Sequence, residues 1–378
     1  MQGSSFRIGT LFGFDIYINI SWLIILIFLT ASLALSWFPG FYKGWSVLEY
    51  WLIGFFASIL LFVAVLLHEL AHSLVARARG LPVRKITLYI FGGVSDLEQE
   101  PKSPGVEFQM AFVGPVVSLL IGIIAFLLQL PIRGSNTPGE AILVYLAISN
   151  ILLGVFNLLP GFPLDGGRVL RSIIWRVSGN LSKATHIAAI VGQVFAYILI
   201  LIGIYLFFAG DAFDGIWFGF IGWFLLSSAQ VEDSRVRLQT ILRGITVAQV
   251  MNRVPTTVPA NISLQKLVNE YFLPQGLRSA LVMQGDQLGG LITLGDIRHV
   301  PQEEWEQTLV GFAMIPREKL HTVSPRQDLN DVLPLITTND VNQLPVLDNG
   351  QLVGVLTRDA ILRYIEIHRS LGMKRNAA

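Results

Sequence analysis

The apolar positions of the chain fall into two regimes. Up to about residue 230 they form long runs, near Ile16–Phe38, Val47–Leu67, Phe108–Leu130, Ala141–Leu159, Ala184–Phe208 and Phe213–Ser228. Most of these reach the roughly 20 residues that a helix needs to cross a bilayer core. The second run continues past Leu67 through His68, Glu69 and His72 to about Ala78, and the fourth runs into Pro160. From about Ile245 the runs shorten and alternate with polar residues, as in short strands and helices. The pattern predicts a polytopic α-helical membrane domain over 1–230, with about six transmembrane helices. A linker over 231–244, a cytoplasmic α/β domain over 245–370 and a tail over 371–378 follow.

Charge obeys the same division. Residues 1–230 hold 23 of the 53 Asp, Glu, Lys and Arg residues, and the shorter remainder holds 30. The second part is near the soluble norm and the first far below it, which excludes a single soluble domain or a disordered chain. A net charge of +1 gives no reason to expect a nucleic-acid partner. The first run follows only Arg7 and is longer than the apolar core of a signal peptide, so an uncleaved membrane helix is expected.

Basic residues set the orientation. Arg77, Arg79, Arg84, Lys85 and Lys102 follow the second run, Arg168, Arg171, Arg176 and Lys183 the fourth, and Arg235, Arg237 and Arg243 the sixth. The opposite connections hold only Lys43 and Arg133. This places both termini, and the ends of the second and fourth runs, on the cytoplasmic side of a plasma or inner membrane.

The chain has no Cys, so any zinc must be held by His, Asp or Glu. Leu67-His68-Glu69-Leu70-Ala71-His72 places two His four residues apart on one helix face, with a Glu beside them. Both imidazoles can reach one Zn²⁺, and Glu69 is placed to act as base toward a bound water. Ionisable side chains directly after an uncharged apolar run are costly at membrane depth and are functional by default. The third donor is expected from Phe156-Asn157-Leu158-Leu159-Pro160-Gly161-Phe162-Pro163-Leu164-Asp165-Gly166-Gly167. Its prolines stop the helix, and a sharp turn through its glycines would return Asp165 toward the His pair.

With these two motifs, and more weakly with Phe91-Gly92-Gly93 and Gly114-Pro115, residues 8–230 resemble the site-2 proteases, which are intramembrane zinc metalloproteases. The resemblance implies one zinc per chain held by His68, His72 and Asp165, with Glu69 as catalytic base and Asn157 positioning substrate. It implies hydrolysis of peptide bonds in or near the transmembrane segments of membrane-protein substrates. It also implies that the strand-like run Ile86–Leu97, broken at Gly92-Gly93, is a membrane-dipping hairpin able to pair with an unwound substrate.

The soluble part repeats. Val282-Met283-Gln284-Gly285-Asp286-Gln287-Leu288-Gly289-Gly290-Leu291-Ile292-Thr293 aligns 64 residues on with Val346-Leu347-Asp348-Asn349-Gly350-Gln351-Leu352-Val353-Gly354-Val355-Leu356-Thr357. Gly285-Asp286 and Asn349-Gly350 read as hairpin turns. The repeat resembles a tandem of CBS domains, at about 245–302 and 308–370, which implies a regulatory module that binds adenine nucleotide (ATP, ADP or AMP) or forms a homodimer. Thr293 and Asp296 fit the ribose-contacting pattern after Gly290. In the second copy Thr357 fits, but Ala360 stands at the acidic position, with Asp359 one residue early. The rival reading is a CBS-regulated transporter or channel with His68, Glu69, His72 and Asp165 along an ion path.

Overall fold

The computed structural model describes residues 5–89, 92–97, 101–242, 244–338 and 343–371. It divides into two compact units, Met1–Val236 and Arg237–Ala378.

The first apolar run is not helical at its start. Strand β1 (Ser5–Leu11) pairs antiparallel with β2 (Phe14–Asn19), and β2 runs parallel to β3 (Val83–Tyr89), with Ile16 opposite Ile86. Phe14, Ile16 and Ile18 alternate into the interior, as a half-buried strand requires. Asn19 then caps helix α1 (Ile20–Ser32), its side chain accepting the Ser21 N–H at 3.0 Å. Strand β4 (Gly92–Leu97) returns antiparallel to β3 and ends the sheet order β1-β2-β3-β4, so its outer edge is unpaired within this sheet. The run Ile86–Leu97 is thus a hairpin, although Ile90 and Phe91 lie outside the described residues.

The longer helices that follow are α2 (Val47–Ala78), α3 (Pro104–Gln129), α4 (Pro138–Asn157), α5 (Asp165–Ser178), α6 (Leu181–Phe208) and α7 (Ala212–Leu242). Helix α2 opens on a capping box between Ser46 and Glu49. Among the described residues six helices are long and apolar enough to cross a membrane: α1 with its continuation to Phe41, α2, α3, α4, α6 and α7. Their polarity is inverted relative to a soluble protein. On α3 the large apolar Leu120, Ile123, Ile124, Leu127 and Leu128 are exposed, while Ser118, Gly122, Ala125 and Gln129 are buried. Small residues bring α3 and α4 close: a Cβ at Gly154 would lie 3.0 Å from the Pro115 carbonyl oxygen. Helix α5, with 14 residues, is amphipathic and is not among these six. Helix α7 runs beyond Ser228 as one helix to Leu242, through much of the stretch expected as a linker.

In the second unit β5 (Thr257–Pro259) runs parallel to β6 (Ser279–Gln284), which forms a hairpin with β7 (Gln287–Thr293). Helix α8 (Leu294–Arg298) follows, and β8 (Ile315–Pro316) pairs with β7. The second copy repeats this plan: Val323 bridges Val346 in parallel, helix α9 spans Leu329–Thr338, and β9 (Gln343–Asp348) turns into β10 (Gln351–Thr357) before helix α10 (Arg358–Ser370). Both turns hold positive φ, at Gly285 and at Asn349 and Gly350, as the hairpin reading requires.

Each copy is completed by the opening segment of the other. β8, near the start of copy two, pairs with β7 of copy one, while Asn252, near the start of copy one, bridges Val355 of β10. Val310 joins the core of Val258, Leu264, Val282 and Ile292, and Val247 joins that of Val323, Leu329, Val346 and Leu356. The repeat therefore reaches upstream to Val247-x-x-x-Met251 and Val310-x-x-x-Met314, a match that the hairpins alone do not reveal.

Candidate active site

Helix α2 carries His68, Glu69 and His72 near the end that also bears Arg77. Asp165 is the first residue of α5, reached by a compact return from the end of α4. Within that return the Phe162 N–H donates to the Ala188 carbonyl of α6 at 3.3 Å, and Leu164 N–H to the Gly161 carbonyl at 3.1 Å. The glycines here serve close approach rather than unusual dihedrals, since Gly161, Gly166 and Gly167 are not among the positive-φ residues. A Cβ at Gly167 would lie 2.5 Å from the Phe162 nitrogen, and one at Gly192 of α6 would lie 2.8 Å from the same atom.

The return delivers Asp165 to the His pair. Asp165 Oδ2 lies 3.1 Å from His68 Nε2 and 3.3 Å from His72 Nε2, and the two Nε2 atoms are 3.1 Å apart. The far side of each ring is already engaged. His72 Nδ1 donates to the Met110 carbonyl, and His68 Nδ1 lies 2.8 Å from Ser118 Oγ, both on α3. A carbonyl only accepts, so the neutral His72 ring carries its lone pair on Nε2, toward the other two donors. With His68 Nδ1 likewise donating to Ser118, three lone pairs would meet here, and a cation among them removes their repulsion. A tetrahedral zinc with bonds of about 2.0–2.1 Å spaces its ligands by about 3.3–3.4 Å, close to the observed edges.

Gly114 lets the α3 backbone come up against both rings: a Cβ there would stand 2.7 Å from His68 Nε2 and nearer still to His72 Nε2. A carboxylate ligand binds in its ionised form, and Asp165 Oδ2 is the oxygen turned to both rings.

Glu69 lies outside this triangle and faces β4. Ser95 Oγ donates to Glu69 Oε2 at 3.1 Å, and Ser95 Oγ lies 3.0 Å from Ser73 Oγ. Asn157 ends α4, and its side chain has no hydrogen-bond partner among the described residues. Behind Asp165, the buried Arg171 of α5 forms an ion pair with the buried Glu107 of α3, and its guanidinium lies 5.2 Å from the Phe162 ring centroid. Sequence reasoning missed Ser95, Ser118, Met110 and Arg171–Glu107. Ser118 left a signal, as a lone hydroxyl inside the apolar run Phe108–Leu130.

In the second unit Thr357 lines a cleft of about 690 Å³ together with Gln249, Asn252, Asp359, Arg363 and Tyr364. Thr357 Oγ accepts the Ala360 N–H at 3.1 Å. Thr293 and Asp296 do not line this cleft. They cap α8 through each other, with Thr293 N–H and Oγ donating to Asp296 Oδ2 at 2.8 and 2.6 Å. His299 is turned to the Gly295 carbonyl, and His186 pairs with Asp233, so neither joins the cluster.

The sequence profile of peptidase family M50 matches residues 56–140 and 133–202, and that of CBS domains matches residues 312–367. The chain is 36% identical over 366 residues to a Mycobacterium tuberculosis protein named as the zinc metalloprotease Rip3, across 96% of this chain and 93% of the relative. It is 31% identical over 309 residues to a zinc metalloprotease of Methanocaldococcus jannaschii, across 82% of this chain and 84% of that one. Among solved structures, a site-2 protease from Methanocaldococcus jannaschii shares 30% identity and covers 61% of this chain and 95% of its own, with a TM-score of 0.43. Similarity along nearly the whole length, joined to a His-His-Asp cluster in an integral membrane unit, leads to one assignment: the chain belongs to the site-2 proteases of peptidase family M50, as an intramembrane zinc metalloprotease with a C-terminal CBS pair.

Proposed function

We propose that His68, His72 and Asp165 hold the zinc of this protease and that Glu69 is its catalytic base. The observation that carries the reading is the triangle of donors with edges of 3.1–3.3 Å, with the far ring nitrogens of both histidines engaged by α3. Zinc, when bound there, polarises the scissile carbonyl and makes a water acidic enough to lose a proton near neutral pH. Glu69 takes that proton and returns it to the leaving amine. The unpartnered amide of Asn157 is available to the substrate backbone or the developing oxyanion. The open edge of β4 offers main-chain hydrogen bonds to an extended substrate strand, whatever its side chains.

The substrate is a membrane-spanning protein, cut in or near its transmembrane segment. The Lys and Arg distribution favours a cytoplasmic N-terminus and a cytoplasmic CBS pair. That pair binds adenine nucleotide, senses it for the protease, and joins two chains as a homodimer. Thr357 and Asp359 would meet the ribose and phosphates at the cleft, with Arg363 beside them to pair with phosphate. Thr293 and Asp296 would form a second site only by giving up the bonds that cap α8.

The test begins with metal content, which needs no substrate. Detergent-purified wild type should hold about one zinc per chain, lost in His68→Ala and Asp165→Ala. Glu69→Gln should keep the zinc and lose turnover by about 10²- to 10⁴-fold. Wild-type cleavage by Glu69→Gln would remove the base from its role. A well-folded wild type without zinc would overturn the site.

A further inference from the structure

Two hydroxyls stand behind Glu69, and the chemistry above does not use them. Ser95 lies on β4 and Ser73 on α2, one turn beyond Glu69. Ser95 Oγ donates to Glu69 Oε2 at 3.1 Å and lies 3.0 Å from Ser73 Oγ. With Ser95's one hydrogen spent on the carboxylate, the Ser73 hydroxyl donates to Ser95 Oγ or to the Glu69 carbonyl oxygen, also 3.0 Å away. Ser73 is buried, so its hydroxyl has little water to turn to.

The contact with β4 is wider than one bond. Gly93 and Ser95 share a strand face, and a Cβ at Gly93 would stand 3.1 Å from Glu69 Cδ. Gly93 thus makes room for the Glu69 side chain and Ser95 fixes its end. Bonds from Ser73 to the i−4 carbonyl are ordinary in helices. The link across to a different element, ending on the carboxylate, is not explained by helix geometry.

We propose that Ser95, backed by Ser73, is a positioning residue that sets the orientation of the catalytic base, making β4 part of the catalytic apparatus. This rests on Glu69 being the base. Free of Ser95, the carboxylate can rotate about its terminal torsion, and fewer molecules hold it toward the attacked carbonyl. Because β4 is also the edge strand proposed to receive substrate, a strand docked there adds to the sheet that carries Ser95. Correct docking and a correctly aimed base are then one event, which disfavours hydrolysis when the site holds no properly seated strand.

The discriminating pair is Ser95→Val and Ser95→Thr in the full-length enzyme, read by kcat, KM and zinc content. The two side chains are nearly the same shape, both suit a strand, and only Thr keeps the hydroxyl. Loss of a supporting hydrogen-bond partner typically costs 10- to 100-fold in activity. Ser95→Val should lose about that factor in kcat, with KM and zinc unchanged, and Ser95→Thr should recover most of it. Ser73→Ala should cost less, and adding it to Ser95→Val should cost nothing more, because Ser73 acts through Ser95. Equal kcat for Ser95→Val and wild type, beside an inactive Glu69→Gln, would overturn the proposal and leave the base intact. An active Glu69→Gln would instead overturn the reading beneath it. Equal losses in Ser95→Val and Ser95→Thr would show a packing effect and also overturn the proposal.

Discussion

The donor cluster on α2 and α5 and the cleft beside Thr357 are built on opposite plans. In the cluster each proposed ligand and the proposed base has a second partner behind it: Ser118 for His68, Met110 for His72, Ser95 for Glu69, and the Arg171–Glu107 pair for the helix that starts at Asp165. In the cleft, the Thr357 side chain bonds, among the described residues, only to the start of the helix that follows it, and Asp359 and Arg363 are exposed. A site that must hold reacting atoms in place needs that second layer, because orientation is worth orders of magnitude in rate. A site that only has to bind and release can leave its groups in water until the ligand arrives.

The contrast breaks first at the metal. Gly114→Ala drives a methyl group against both Nε2 atoms. Zinc content should fall to background and cleavage with it, while the helical signal in detergent stays near wild type. Retained zinc would mean that α3 yields, and that the cluster is less rigid than its partners suggest.

A smaller effect is expected one layer out. Arg171→Met leaves Glu107 as a buried charge without its main partner, at a cost of about 3–5 kcal/mol. Thermal unfolding in detergent should shift down accordingly, and zinc should be lost faster to a chelator. The double variant Glu107→Leu, Arg171→Met should restore most of the stability. If it also restored zinc retention, the charge pair would be replaceable by apolar packing of similar shape.

The least change belongs to the cleft. Thr357→Val removes one hydrogen bond of about 0.5–1.5 kcal/mol, so adenine-nucleotide affinity should fall by roughly 2- to 12-fold. Isothermal titration of the full-length protein with ATP, ADP and AMP measures it. An unchanged affinity would move the binding site away from Thr357.

How much of this the sequence shows depends on the range of the forces involved. Helix-forming runs and hairpin turns are local, so the membrane helices and both CBS hairpins are plain from neighbouring letters. The donor triangle is legible because His68 and His72 sit on one turn and Asp165 lies beyond an obligatory helix stop. The start of the first run misleads for a local reason of another kind: Phe14, Ile16 and Ile18 alternate with period two, but the apolar α1 that follows masks the pattern. The strand exists only because β1 and β3 are there to pair with it. Ser95, Met110 and Arg171 are invisible for the same reason, since each acts on a residue 26 to 64 positions away. The glycines of the return were legible as necessary but for a different cause, since packing against Phe162 and α6 excludes a side chain where dihedral freedom is not used.

The exchange of upstream segments in the CBS region bears on how the chain is made. Copy one has no closed core until Val310 arrives and no full sheet until Ile315–Pro316 does, and by then the ribosome has begun copy two. Val247 must wait longer still, since the core it joins is finished only by residues past Ile361. The nascent chain therefore closes its first copy only after the second has begun, unlike separate domains. Val247, made early, stays without its core until copy two is finished, so a defect late in copy two reaches back to residues made first.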